Sequence, residues 1–376
     1  MRCAIAIVFA ATTLASAAPV SFSRDIRSIL SNSCYQCHGP DSKQRKAGLR
    51  LDEERDSRVE LKSGARAVVP GNLEESELVH RITTNDEDDR MPPLDFKKQL
   101  SKKQIDLLRQ WVREGGDYEK HWSYIPPKAA NLPRVKQTNW PHNAIDHFVL
   151  KRLEDEDLKP SPEADKATLL LRVTFDLTGL RPSLAELNAF LADDSPDAYQ
   201  KVVDRLLASP RYGEHLGRYW LDAARYADTN GYQYDTHRDM WPWRDWVINA
   251  YNRNLPFDQF TIEQLAGDLL PNATLDQKIA TGFNRNHPIT IEGGVIDEEY
   301  RTEYVIDRVT TTAQVWMGLS FICARCHDHK YDPIPQKEFY QFFAFFNQVP
   351  EKGNSGFSPK IKVPPPGLAH VQSKLA

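Results

Sequence analysis

Two Cys-x-x-Cys-His segments, Cys34-Tyr35-Gln36-Cys37-His38 and Cys323-Ala324-Arg325-Cys326-His327, constrain this chain more than any other feature. Two thiols at this spacing can add to the two vinyl groups on one porphyrin edge. The next residue then sets an imidazole under the iron, all within one helical turn. Two rival uses of the thiols stand beside this. A redox dithiol needs no histidine and sits in a βαβ context, which the pattern here lacks. A zinc site could use Cys34, Cys37, Cys323 and Cys326 as a four-thiolate set if the fold reunites them. Neither rival explains why both pairs precede a histidine. His supplies 11 of 376 residues, so two such coincidences arise by chance on the order of once in a thousand. The spacing therefore predicts two covalent haem c groups. Cys34, Cys37, Cys323 and Cys326 are the attachment residues, and His38 and His327 the proximal ligands.

Export agrees with this chemistry, since thioether attachment of haem in such cytochromes takes place outside the cytoplasm. Arg2 is a minimal basic region, Cys3 to Leu14 is apolar and small, and Ala15-Ser16-Ala17 fits a cleavage site. Residues 1–17 are thus expected to be a signal peptide, and the protein periplasmic or otherwise exported. The apolar run is shorter than the ~20 residues a spanning helix needs. No membrane span is expected once the signal is removed. The net charge of -4 argues against nonspecific nucleic-acid binding, which needs a basic surface.

The periodicity predicts a mainly α fold in several parts. Residues 18–117 form a small class I-like cytochrome c domain. It opens on a helix over 22–33 and holds apolar spacing over 72–82. It closes on a helix started by Ser101 and Gln104 as a capping box, faced by Ile105, Leu108, Trp111 and Val112, and stopped by Gly115-Gly116. Residues 118–142, with Pro126, Pro127, Pro133 and Pro141, read as a linker. Residues 143–350 form a larger all-helical domain holding the second motif. Its stripes include Ile145, Phe148, Val149 and Leu153, then Ala198, Val202, Leu206 and Leu207, then Trp243, Trp246, Val247 and Ala250. Residues 351–376 read as a Gly/Pro-rich tail leading toward a further C-terminal domain.

For the first haem, Met91 is the expected distal ligand. It lies in a loop that Pro92 and Pro93 restrict, and a thioether suits haem iron. His80 is the fallback. For the second haem the distal position stays open among Met317, His215, His237, Met240, His287 and solvent. Asp328, His329 and Asp332 could orient His327 or meet propionates, as could Arg325 and Lys330. Glu292, Glu298, Glu299, Glu303 and Asp307 could do acid/base work, though ion pairs explain such runs as well. The acidic loop 86–89 could steer a basic partner. Trp220, Trp241, Trp243 and Trp246 could line a sugar-binding surface, or form core.

Several longer signatures resemble a known family. They are Phe22-Ser23-Arg24-Asp25-Ile26 through Cys34–His38-Gly39-Pro40, then Ala47-Gly48-Leu49-Arg50-Leu51, then Met91-Pro92-Pro93. This part resembles the planctomycete-type cytochrome c domain. Asp307-Arg308-Val309, Gly318-Leu319 and Cys323 through His327-Asp328-His329-Lys330-Tyr331-Asp332-Pro333 resemble the second, cytochrome-like domain of the same exported proteins. The resemblance implies haem binding and electron transfer, with Met91 as the matching distal ligand. The expected function is an exported dihaem electron carrier serving a redox partner protein or a C-terminal domain outside this chain. Two alternatives stay open. One is a peroxidase-like oxidoreductase with an open site at the second haem. The other is a carbohydrate-binding or structural module in which haem is only a staple.

Overall fold

The computed structural model describes residues 19–120, 122–232, 234–354 and 356–364, with Trp122 described by its backbone alone. The expected signal segment 1–17 and the end of the tail lie outside the described residues. Among those residues the fold is mainly α, with isolated β-bridges in place of strands. No described helix is long and apolar enough to cross a membrane. Contacts divide the chain into two compact units. One holds the residues up to Ala129 together with Cys323–Gln336, and the other holds Ala130–Ile322 with the residues from Lys337 on. The sequence-based boundaries set the second motif in the larger helical domain. The contacts group it with the N-terminal residues instead.

The N-terminal unit begins with a π-helical turn at Phe22–Ile26 that runs into α1 (Arg27–Ser33) and α2 (Tyr35–His38). Then follow α3 (Glu54–Arg58), α4 (Glu77–Thr83) and α5 (Lys102–Arg113). Phe22, Ile26 and Leu30 share a core with Leu108, Trp111 and Val112 of α5 and with Leu78, Val79 and Ile82 of α4. The Ser101–Gln104 capping box forms as the sequence predicts. Gly115 and Gly116 take positive φ beyond the end of α5. Trp111 then donates its indole N–H to the Asp117 carbonyl at 2.8 Å, and its ring meets Phe22 and Tyr118. The expected helix over 72–82 starts later, at Glu77. Asn72 diverts the chain first, because its Oδ1 accepts from the amides of Glu74 and Glu75.

The second unit packs α6 (Ala144–Asp155), α7 (Lys166–Thr178), α8 (Leu184–Ala192), α9 (Ala198–Leu207), α10 (Pro210–Ala223), α11 (Trp241–Asn252), α12 (Phe257–Ala266), α13 (Leu275–Ala280) and α14 (Asp297–Thr312). Helix α15 (Gln336–Phe346) starts at the unit boundary. Asn143 caps α6 as a capping box with Asp146, but the α6 stripe stays largely outside the core. Ile145 is 71% exposed and only Leu150 is buried. Helices α10 and α11 cross at Gly213 and Gly217, because a Cβ at Gly213 would meet the Ile248 carbonyl oxygen at 2.3 Å. Trp243 and Trp246 are buried with Phe260 and Phe283. Trp220 packs edge-on to Trp316 at 4.7 Å and bonds Gln264. Of the two readings for the tryptophans, the packing shows core for Trp220, Trp243 and Trp246.

A buried charge cluster closes the second unit. Arg308 on α14 holds both oxygens of Glu351, and Arg285 holds the same carboxylate. The Arg308 Nε donates to the Asn284 carbonyl at 2.8 Å. Nearby, Tyr304 donates to the Gly353 carbonyl at 2.7 Å, and Asn354 bonds Asp297 and the Glu292 carbonyl. The stretch from residue 351, expected as a free tail, is therefore fastened to α14 at its start. His287 stacks on Tyr304 at 4.7 Å. Its Nδ1 donates to the Pro288 carbonyl, and its Nε2 accepts from Arg308. Burial, then Arg308 and Arg285, push its pKa well below the ordinary histidine value.

Two expectations follow from this cluster. Glu351→Ala leaves two guanidinium groups facing each other and should destabilise the chain by about 3–5 kcal/mol in denaturant unfolding. Histidine in the unfolded chain titrates near pH ~6.5, so below that pH the unfolded state binds a proton that folded His287 refuses. Stability should therefore be flat above that pH and fall as pH drops below it. His287→Gln should flatten part of the fall, and an unchanged pH profile would remove His287 as its source.

Candidate haem-attachment sites

The first motif is a single helical turn fixed to a core. Cys34 ends α1 and starts α2, with φ −125° and ψ −37°. Its carbonyl accepts from the Cys37 amide at 3.1 Å and from the His38 amide at 2.8 Å. The two thiols and the imidazole thus come from one turn. Tyr35, only 4% exposed, and Cys34 pack on the Phe22–Trp111 core, which pins that turn. A Cβ at Gly39 would meet the Tyr35 carbonyl oxygen at 2.3 Å, so the chain can leave the motif this way only at glycine.

The segment after the motif folds back onto it. The Lys46 amide donates to the Cys37 carbonyl at 2.7 Å, and the Leu51 amide donates to the His38 carbonyl at 2.8 Å. Arg45 bonds the carbonyls of Gly39 and Pro40. Between these ties, Ala47 and Gly48 turn the chain in the left-handed region. Leu51 is buried in the core. The Ala47–Leu51 signature is therefore a clamp on the motif's carbonyl groups.

The chemistry of these groups fits a haem. All four described cysteines are free thiols. Burial pushes the Cys34 thiol up to about 12, with Cys37 adding to the effect. The His38 Nδ1 is a buried atom without a hydrogen-bond partner. Burial lowers the His38 pKa, against an opposing pull from the Lys46 backbone. A neutral ring with an uncommitted nitrogen is the form that ligates a metal. Met91 is half-buried in the same unit, on a separate loop. Its amide donates to the Arg81 carbonyl at 2.8 Å, and Arg81 holds Glu77 and Asp89. The fallback His80 is exposed on α4.

The second motif has a different setting. Ile322–Arg325 form a 3-10 turn, and the Cys326 amide reaches the Cys323 carbonyl only at 3.4 Å. Cys323, Cys326 and His327 are exposed around a buried Ala324. The His327 Nδ1 bonds the Asp328 carbonyl at 2.8 Å. A carbonyl only accepts, so the ring proton sits on Nδ1 and Nε2 is left free. That is the tautomer of a ligand histidine. The residues behind it build the loop. Asp328 accepts from the Gln336 amide at the start of α15. The buried His329 accepts on Nδ1 from the Asp332 amide at 2.9 Å. The Asp332 carboxylate accepts from Tyr124, whose phenol burial and Asp332 together raise. Tyr124 lies in the stretch read as a linker, so part of that stretch anchors the second motif.

Several of the remaining candidates have structural partners. Asp307 forms a fork with Arg225, and Glu298 pairs with Arg301. His215 packs against Gly179, His237 pairs with Asp239, and Met240 joins the tryptophan core. Met317 is exposed. Among the described residues no group of three or more His, Cys, Asp or Glu converges to hold a metal ion, so the four sulfurs are not gathered into one thiolate site.

Sequence reasoning missed the Arg285–Arg308–Glu351–His287 cluster. No local spacing signals it, because its members lie on separate segments.

Comparison with known families finds two matches. Residues 34–95 match the family described as Planctomycete cytochrome C, a stretch that opens on Cys34 and includes Met91. Residues 144–351 match PSCyt2, described as a protein of unknown function (DUF1549), and enclose the second motif. No curated protein and no solved structure matches the chain. The second match spans more than half of the 376 residues, so the chain belongs to the PSCyt2 family of unknown function and carries a planctomycete cytochrome c segment ahead of it.

Proposed function

We propose that this chain is an exported electron-transfer protein with two covalent haem c groups, one at each motif. The observation that carries this is the Cys34–His38 turn, with two free thiols and a half-buried imidazole whose Nδ1 is buried without a partner, inside a planctomycete cytochrome c match. A bound haem supplies an iron centre that gains and loses one electron. The chain's own residues do the rest. Cys34 and Cys37, and Cys323 and Cys326, would hold the haems through thioethers, and thiol addition across a vinyl double bond would need no external oxidant. His38 and His327 offer their imidazoles as proximal ligands. Met91 is the distal ligand proposed for the first site, where a His/Met pair raises the reduction potential.

The acidic loop gives a partner preference. Asp86 is used locally and Asp89 pairs with Arg81, while Glu87 and Asp88 stay exposed on the surface of the N-terminal unit. A basic redox partner is the complementary choice, with association that weakens as salt rises.

Intact mass of the exported protein should show two added haems. Replacing Cys323 and Cys326 together with Ala should remove one, and replacing Cys34 and Cys37 the other. A mass with no added haem would end the proposal, and a mass with one that survives the Cys323/Cys326 change would confine haem to the first motif. Met91→Ala should abolish the weak near-infrared sulfur-to-iron band and lower the potential of the first haem. A band that persists would exclude Met91.

A further inference from the structure

The second unit buries more positive than negative charge in one place. Arg285 and Arg308 both lie on Glu351. A third guanidinium, Arg238, is 6% exposed. It donates through Nη1 to the His287 carbonyl at 2.8 Å, which is a neutral acceptor. Arg285 is near enough to repel it. Burial and that repulsion lower its pKa to about 10, which still leaves it charged at neutral pH. The ring of His287 contributes no charge. Two guanidinium groups thus share one carboxylate, and the third has no acidic partner in an ion pair among the described residues. An uncompensated buried charge is among the most expensive features a fold can keep.

The polar groups around Arg238 are also incomplete. Asn286 precedes His287 and is buried, yet both atoms of its side-chain amide lack a hydrogen-bond partner. Asn230 is buried too, and its carbonyl accepts from the Ile289 amide, which brings it beside the same segment. Its Oδ1 also has no partner. Buried polar atoms left bare call for a ligand or a bound water. Arg238 bonds the carbonyl of the residue that follows Asn286, and its charge with the bare Nδ2 donor of Asn286 is the combination a small oxyanion takes.

We propose that Arg238, supported by Arg285 and Asn286, binds a small oxyanion: a sulfate, phosphate or carboxylate group, free or carried by a larger molecule. This site is independent of the haem motifs, so it stands or falls apart from the electron-transfer reading.

Thermal unfolding and calorimetry of the full chain test it, with sodium sulfate, phosphate and acetate compared against chloride at matched ionic strength. Wild type should show a saturable rise in Tm with at least one of the three. The preferred anion indicates which headgroup the site takes. Arg238→Gln should bind that anion about tenfold or more weakly, and Arg238→Lys should keep part of the affinity. In chloride, Arg238→Gln should melt no lower than wild type, since it removes an uncompensated charge. Equal anion effects in wild type and Arg238→Gln would reduce the result to general exclusion of the salt from the surface and overturn the site. No rise in wild type would do the same. If Arg238→Gln does not fold, Asn286→Ala decides, and an affinity equal to wild type overturns the proposal.

Discussion

One turn of helix governs what this chain can do. The Cys34 carbonyl accepts from Cys37 and His38 at once, and that closes two thiols and an imidazole onto a single turn. Such a short turn has little stability alone, since the first helical hydrogen bonds fix several residues for little return. Here it is held from both sides. On one side Tyr35 and Cys34 sink into the Phe22–Trp111 core. On the other, the amides of Lys46 and Leu51 hold the carbonyls of Cys37 and His38. Removing either support would leave the reactive groups on a fraying helix end.

The second motif obtains rigidity by other means. Its turn is 3-10 and its Cys323–Cys326 bond is long, so local helix geometry contributes little. The loop behind it compensates through side chains. Asp328 starts α15, His329 accepts from the backbone of Asp332, and Asp332 takes the Tyr124 hydroxyl. Asp328, His329 and Asp332, expected to orient His327 or meet propionates, are used in shaping the loop. The effect on His327 is to fix its tautomer while leaving it exposed. Exposure at the second site and partial burial at the first place the two proposed haems in unlike surroundings, and solvent exposure is one of the levers on reduction potential.

Charge is managed in the second unit by sharing. Glu351 serves two arginines, and Arg308 divides its donors among Glu351, the Asn284 carbonyl and His287. The arrangement ties α14 to the segments around residues 285 and 351, so a linker-like stretch becomes part of the fold. Holding His287 neutral avoids a further positive charge in the same place. The tryptophan core is apolar and shape-driven, with close approach at Gly213 setting how α10 meets α11.

Much of this was legible from residue order, because its causes are local. Cys34 to His38 span five positions, so spacing alone puts them on one turn. The Ser101–Gln104 box closes over three residues, and the α11 stripe of Trp243, Trp246 and Val247 follows from helical periodicity. What needed the folded chain are features whose partners lie far apart along it. The grouping of Cys323–Gln336 with the N-terminal residues, the Tyr124 anchor, and the meeting of Arg308 with Glu351 leave no trace in any short window. The exposed α6 stripe is the converse case: periodicity states which face is apolar, and only tertiary packing decides whether another element covers it. Hydrogen bonds within a turn are set by sequence spacing, whereas burial and charge pairing depend on where distant segments come to rest.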